Sequence, residues 1–322
     1  MLGYIQYPTW IHPEIIPGLF FRWYGLMYLV AFVVTYLLLM WQLKKREAKP
    51  PQDLVLDLFF WAIIGLIVGA RLFYVVVYDP GYFIQHPLAI ILPPYSGMSY
   101  HGGVLGTVIS LAIFMRAKKL SILEWGDMLV AGIPLGYTFG RLGNFINGEL
   151  YGRITKLPWG MVFPGAEGFP SNQPWVQDYA AAVGLPVNGP MVNLPRHPSQ
   201  LYEAFFEGFV LWLILWFIMR KRKPYNGFVI AWYMIGYGVF RFFIEYARQP
   251  DKQIGFPIVL VHLNNPGQFS WFNFTMGQIL NVVLIAAAVI ALFAFRARAR
   301  NQAAPQDAGP RPSARKLRKR LK

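Results

Sequence analysis

Seven apolar runs punctuate the chain, at residues 20–43, 54–78, 97–115, 122–146, 198–219, 226–247 and 272–295. Each approaches or exceeds the roughly 20 residues that a helix needs to cross the hydrocarbon core of a bilayer. The pattern predicts an all-α polytopic membrane protein with seven transmembrane helices. Basic residues fall where these runs end: Lys44, Lys45, Arg46 and Lys49; Arg116, Lys118 and Lys119; Arg220 to Lys223; and ten more between Arg296 and Lys322. With seven crossings all four blocks share one side, and one helix more or fewer would split them. The positive-inside rule makes that side cytoplasmic, with the C-terminus there and the N-terminus outside.

Between runs four and five lies the longest insertion, about 150–196, rich in Pro, Gly and Trp, which reads as a small external head. The segment at about 79–96 carries Pro80, Pro87, Pro93 and Pro94 among aromatics and reads as an interfacial arm on the same side. Residues 1–295 then form the membrane domain, and 296–322 a basic tail whose Ala, Pro and Gln content cannot build a core. That tail is expected to be disordered and to touch anionic lipid. Met1–Gly18 has no basic n-region or small-residue cleavage site, so no cleaved signal peptide is expected. Glycines at 132, 136, 140 and 148, at 65 and 69, and at 102 and 106 repeat at four-residue spacing, which predicts close helix packing.

Composition agrees with lipid as the solvent: 56% of the 322 residues are hydrophobic and only 14% charged. The net charge of +15 sits in the blocks that flank the apolar runs, which argues against a nucleic-acid surface. Cysteine is absent, so disulfides, thiolate metal sites and a cysteine nucleophile are excluded. Any thiol in the chemistry arrives on a substrate. No metal or cofactor is expected.

At about 1.5 Å of rise per residue, Arg71, Arg141, Arg241 and Glu245 lie roughly 20 to 30 Å above the cytoplasmic ends of their helices. The oppositely directed helices carry Ser99, Tyr100 and His101, and His197, Gln200, Glu203 and Glu207, at their external ends, and the first helix adds Arg22 and Tyr24. Asp57, Glu124 and Asp127 stay near the cytoplasmic ends. Polar side chains from six helices thus meet at one level, which suits a site served by lipid and by an external partner. Tyr237, Arg241 and Glu245 share one helix face. Arg241 and Glu245 can also be read as a self-neutralising pair, and His101 as a hydrogen-bonded structural histidine. The many Trp and Tyr residues near helix ends read first as interfacial anchors.

A transporter is disfavoured by the lack of inverted repeats and of broken helices. A retinal protein would need a lysine in the last helix, where there is none. No Gly-x-Ser-x-Gly or His-Glu-x-x-His pattern supports a protease or metalloenzyme, and the five histidines are scattered.

The string Gly140-Arg141-Leu142-Gly143-Asn144-Phe145-Ile146-Asn147-Gly148-Glu149, continuing through Leu150-Tyr151-Gly152-Arg153, resembles the signature of the prolipoprotein diacylglyceryl transferases. Trp23 to Tyr28, Met98 to Gly103, Arg196 to Glu203 and Gly236 to Arg241 support the resemblance, which covers about residues 10–295. The head sequence and the basic tail depart from it. The resemblance implies an enzyme of the bacterial inner membrane, with its site facing the outer leaflet and periplasm. Such an enzyme moves the diacylglyceryl group of phosphatidylglycerol to the thiol of the lipobox cysteine that follows a prolipoprotein signal peptide. A thioether and glycerol 1-phosphate are the implied products. Its implied partners are phosphatidylglycerol, the prolipoprotein and membrane lipids, and no nucleic acid. Arg141 and Arg241 would hold the phosphate, and His101 would take the thiol proton. Asn144, Asn147 and Glu149 would orient donor hydroxyls and arginine side chains, with Tyr24, His197, Gln200, Glu203, Tyr237 and Glu245 completing the substrate site.

Overall fold

The computed structural model describes residues 3–16, 18, 22–45, 50–92, 97–250 and 255–303. Among the described residues five helical stretches are long and apolar enough to cross a bilayer: Trp23–Lys44, Gln52–Tyr78, Tyr100–Ala117, Ser199–Met219 and Met276–Gln302. A shorter apolar helix runs from Phe228 to Ile244. Large apolar side chains such as Leu37, Ile67, Val108, Phe217 and Ile290 point outward along these rods. Lipid is the solvent that accepts such a surface, and helices are the form that satisfies their own backbone groups within it. The protein is a mostly helical, multi-pass membrane protein.

Local chemistry sets the ends of the elements. Helix α1 (Trp23–Lys44) stops among its basic residues, and α2 (Gln52–Phe73) starts just after Pro51 and passes into a π-helical turn, Tyr74–Tyr78. Asp79 then caps α3 (Pro80–Gln85), and a 3-10 turn, Pro87–Ile90, completes the described part of the arm. Residues 93–96 of the arm lie outside the described residues. The Ser99 hydroxyl caps α4 (Tyr100–Ala117), and Ser121 caps α5 (Ile122–Val130).

The run at 122–146 is not one helix. It breaks at Ala131 and Gly132, and α6 (Ile133–Ile146) begins afresh with Pro134 in its first turn, where proline needs no amide partner. The absence of a broken helix, used above against a transporter, therefore does not hold.

Beyond α6 comes α7 (Pro174–Val183); after it α8 (Ser199–Tyr202), a π-helical stretch Glu203–Val210, α9 (Leu211–Leu213) and a second π stretch Ile214–Met219 follow one another as a single rod. Helix α10 (Phe228–Ile244) ends three residues before the expected 247, because the chain tightens there into i→i+3 bonds such as Tyr246 N–H to Phe243 O. Helix α11 runs from Met276 to Ala303, starting later than expected and continuing past 295; residues 304–322 of the tail lie outside the described residues.

In packing, α2 lies on α4, α1 on α6, α10 on α11, and α6 on the π stretch Glu203–Val210. A Cβ on Gly69 would overlap Gly102 O, and one on Gly106 would overlap Gly65 O, so the two glycine pairs set how closely α2 and α4 cross. At one end of the bundle Leu39, Leu43, Val55, Leu58, Phe114, Trp125 and Met128 form an apolar plug.

At the other end sits the head. Strand β1 (Ile5–Gln6) pairs in parallel with β2 (Met161–Val162), and β3 (Phe169–Pro170) pairs antiparallel with β4 (Met191–Val192). Val176, Tyr179 and Ala180 of α7 pack on Ile154, Val192 and Leu194. The N-terminal segment belongs to this head, and Tyr7 ties it to the bundle by donating to the carbonyls of Phe145 and Ile146, both at 2.9 Å.

Candidate active site

The turn after α6 positions the first group of polar residues. Gly148, with φ +66°, and Leu150, with φ +58°, take left-handed conformations and reverse the chain over the helix end. Glu149 is thereby brought back onto α6, where its Oε1 accepts from Asn144 Nδ2 at 3.1 Å and from Asn147 Nδ2 at 3.3 Å. Its own carbonyl accepts from Gln200 Nε2 at 2.6 Å, and Leu150 O from Ser199 Oγ at 3.1 Å, which fixes the turn against α8. Asn144 Oδ1 accepts from Arg141 Nη1 at 3.3 Å, so the amide connects Glu149 to the arginine.

Arg141 points the other way as well. Its Nε lies 2.7 Å from the Tyr137 hydroxyl and 2.9 Å from Glu203 Oε2. Glu203 is fully buried and is the hub of the site. Arg241 Nη1 reaches the same Oε2 at 3.0 Å, and Arg248 Nη1 donates to Oε1 at 2.8 Å. Two further carboxylates complete the cluster. Glu207 accepts from Tyr137 Oη at 2.5 Å and lies 3.7 Å from Arg241 Nη1. Glu245 accepts from Thr275 Oγ1 at 3.2 Å and stands 3.4 Å from both Arg241 Nε and Arg248 Nε. Glu203 and Glu207 are carried by a π-helical stretch, a local widening of the helix that is common at functional sites.

Arg141, Arg241 and Arg248 against Glu203, Glu207 and Glu245 balance in formal charge. In a bundle bounded by lipid that balance is what makes burial tolerable, since removing one partner leaves an uncompensated charge in low dielectric. The arginine side chains keep 14%, 14% and 18% of their exposure, while Glu203 and Glu207 have none. Among the described residues no hydrogen bond engages the Nη2 groups of the three arginines. The cluster therefore keeps N–H donors to spare beside buried counter-charges, an arrangement suited to an anion that arrives with its own charge and leaves again.

Tyr237 stands edge-on to Tyr137 at 6.3 Å between ring centroids. Tyr24 hydrogen-bonds Tyr28 at 3.0 Å, and its backbone passes close to Gly143, so α1 lines the same side as Arg141. The predicted residues Tyr24, Arg141, Asn144, Asn147, Glu149, Gln200, Glu203, Tyr237, Arg241 and Glu245 thus form one connected region. The self-neutralising Arg241 and Glu245 pair is present, but Arg241 is shared with Glu203.

Two predicted residues stand apart. His101 is exposed at the start of α4 beside Tyr100, and no described hydrogen bond joins it to the cluster. His197 belongs to the head: its N–H donates to Arg153 O, its carbonyl accepts from Gly152 N–H, and its Nδ1 lies 3.3 Å from the Tyr202 hydroxyl, which also accepts from Trp159 Nε1. Burial, with the nearby Arg153 charge, pushes the His197 pKa down to about 4, so the ring is neutral at pH 7. A Cβ on Gly152 would overlap Ala247 O, which explains a glycine where the head meets the end of α10. Arg71 also leaves the cluster. It donates to the carbonyls of Ala89, Ile90 and Gly97 and holds the arm.

Sequence reasoning missed Tyr137, Arg248 and Thr275, and left Glu207 on its helix face without a place in the site. Tyr137 is four residues before Arg141, the same spacing that linked Arg241 to Glu245, and Arg248 is three after Glu245, the other spacing at which helical neighbours meet; the two spacings together would have found both. Thr275 arrives from a distant segment and left no local signal.

A family model described as prolipoprotein diacylglyceryl transferase matches residues 13–294. Among similar proteins, the phosphatidylglycerol–prolipoprotein diacylglyceryl transferase of Treponema denticola is 48% identical, over 91% of this chain and 94% of the relative. That of Treponema pallidum is 45% identical over 91% and 96%, and that of Chlorobaculum tepidum 40% identical over 91% and 93%.

Proposed function

Since the chain belongs to the prolipoprotein diacylglyceryl transferase family, we propose that it transfers the diacylglyceryl group of phosphatidylglycerol to the lipobox cysteine of prolipoproteins. It is a transferase of the membrane. The cysteine sulfur attacks the glyceryl carbon attached to the phosphate, a C–S bond forms, and the C–O bond breaks with its electrons going to the phosphate. Glycerol 1-phosphate departs, and the thiol proton passes to a base.

The observation that carries this reading is the meeting of Arg141, Arg241 and Arg248 on one buried carboxylate, Glu203, while each guanidinium keeps an Nη2 that no described hydrogen bond engages. A phosphodiester brings one negative charge and the leaving phosphate gains another. Guanidinium groups already fixed in place stabilise that gain without reorganising during the step. Arg141 and Arg241 hold the phosphate. Asn144, Asn147 and Glu149 orient Arg141 and the donor hydroxyls, and Tyr24, Gln200, Tyr237 and Glu245 complete the wall. A free thiol has a pKa of about 8.5, so a base raises the thiolate fraction, and His101, a histidine at an exposed helix start, takes that role. His197 serves from the head, as a neutral ring near the incoming peptide.

In this reading seven crossings span the bacterial inner membrane, with α5 and α6 together making one of them. The basic ends face the cytoplasm, and the head, the arm and the site face the periplasm and outer leaflet. The purified protein, given phosphatidylglycerol and a peptide with a lipobox cysteine, is expected to release glycerol phosphate and add a diacylglyceryl mass to the peptide. A cysteine-to-serine peptide should stay unmodified; turnover of neither substrate by folded protein would refute the assignment.

A further inference from the structure

The end of α11 remote from the arginine–carboxylate cluster has a chemistry of its own. Glu245 touches the start of α11 at Thr275 and Gly277, and at ~1.5 Å per residue Arg296 stands roughly 30 Å farther along the helix, at the level of the opposite leaflet. Arg296 and Arg300 are four residues apart and share a face. Both are exposed, and among the described residues neither makes a hydrogen bond or ion pair.

That face borders a cleft of about 540 Å³ between α10 and α11. Phe228, Trp232, Leu292 and Phe293 form its apolar wall, one to two helical turns deeper than the arginines. The Tyr225 hydroxyl donates to Leu292 O at 2.9 Å and fixes one side of it. Among the described residues no acidic side chain lines the cleft. The carboxylate that comes near, Asp127, is already met by Lys223 Nζ at 3.0 Å and by the N–H groups of Gly227 and Ile230 at 2.8 and 2.9 Å. Among the described residues, the two arginines are thus left without a carboxylate partner.

We propose that this cleft binds an anionic phospholipid, its phosphate between Arg296 and Arg300 and one acyl chain along the Trp232–Phe293 wall. Two cationic donors followed at greater depth by an apolar groove match a headgroup followed by its chain. A soluble anion would use the arginines and leave the groove unused, whereas the wall leads on to outward-facing Phe293 and Ile290, which lie where lipid tails run. The bound lipid is a retained ligand and not the reacting one, because the cluster proposed for transfer is a membrane thickness away. The inference rests on the membrane reading of α10 and α11 and not on the catalytic assignment.

The test places the full chain in nanodiscs of phosphatidylcholine with and without phosphatidic acid, which present both leaflets and so do not depend on orientation. Hydrogen exchange across residues 292–302 should slow with phosphatidic acid and not with phosphatidylcholine alone. Native mass spectrometry should retain one phosphatidic acid fewer for the Arg296→Gln/Arg300→Gln protein, with affinity reduced about 30-fold. Turnover of phosphatidylglycerol should be unchanged in that protein, separating a failure here from a failure of the transferase reading. Unchanged exchange in the wild type overturns the proposal even if the variant does not fold. Equal protection by inorganic phosphate overturns it in favour of a free anion.

Discussion

Arg141 and Arg241 approach the same oxygen, Oε2 of Glu203, at 2.9 and 3.0 Å. Two guanidinium charges brought onto one oxygen repel each other, and the more strongly the less water lies between them. One carboxylate between them turns that repulsion into a fixed pair of donors, and Arg248 on its second oxygen completes the arrangement. The arginines are therefore held by the protein before any substrate phosphate arrives.

Glu203→Gln keeps the side-chain shape and removes this charge. Breaking a buried ionic group by deleting one partner destabilises by about 3 kcal/mol or more, so the variant should unfold at a lower temperature in detergent. Glycerol phosphate release should fall by about 100-fold as the arginines lose their aim. Wild-type turnover in this variant would mean that the arginines are positioned without Glu203.

Lysine cannot replace either shared arginine. Arg141→Lys and Arg241→Lys keep the charge but lose the fork that reaches Glu203 and a phosphate together. Each should lower kcat by about 100-fold, with the smaller effect on KM. A change confined to KM would assign the arginines to ground-state binding.

The proton acceptor is tested at His101. Because it is exposed and unlinked to the cluster, His101→Ala should leave the unfolding temperature near that of the wild type. As general base its loss should reduce kcat by about 100-fold or more. Activity near the wild-type level would send the thiol proton elsewhere.

His197 makes stability depend on pH. Its folded pKa, about 4, lies below the ordinary histidine value of 6.5 because of burial and the Arg153 charge. The unfolded chain therefore binds the extra proton first, so the stabilisation is complete above pH 6.5 and is lost as pH falls from 6.5 towards 4. Unfolding temperatures across that window should decline, and His197→Gln should flatten the decline; an equal slope in both proteins would place the responsible group elsewhere.

The glycines divide by contact rather than by motif. Gly106→Ala forces a Cβ into Gly65 O across the α2 and α4 crossing and should destabilise by about 1 to 3 kcal/mol. Gly140→Ala meets nothing within 4 Å and should leave thermal stability unchanged, although both glycines lie on four-residue stripes. Equal losses in the two variants would show that the stripe, not the crossing, matters.

The sequence by itself determined the solvent and the main parts. Long apolar runs require lipid and helices, because a bilayer offers no partner for free backbone groups, and the ten residues from Gly140 to Glu149 carry the family. The pairing of Arg241 with Glu245 on a single helix was legible because helical spacing is local. What only the tertiary structure decided was which charge answers which. Glu203 meets Arg141 from α6 and Arg241 and Arg248 from the end of α10 and just beyond it, Glu149 is folded back by a left-handed turn at Gly148 and Leu150, and Arg71 is spent on the arm. The break at Ala131 and Gly132 was also hidden, since the apolar pattern continues through it while the backbone does not. Hydrophobic periodicity reports how a residue relates to its solvent. Ion pairing between helices depends on distances that chain spacing does not encode.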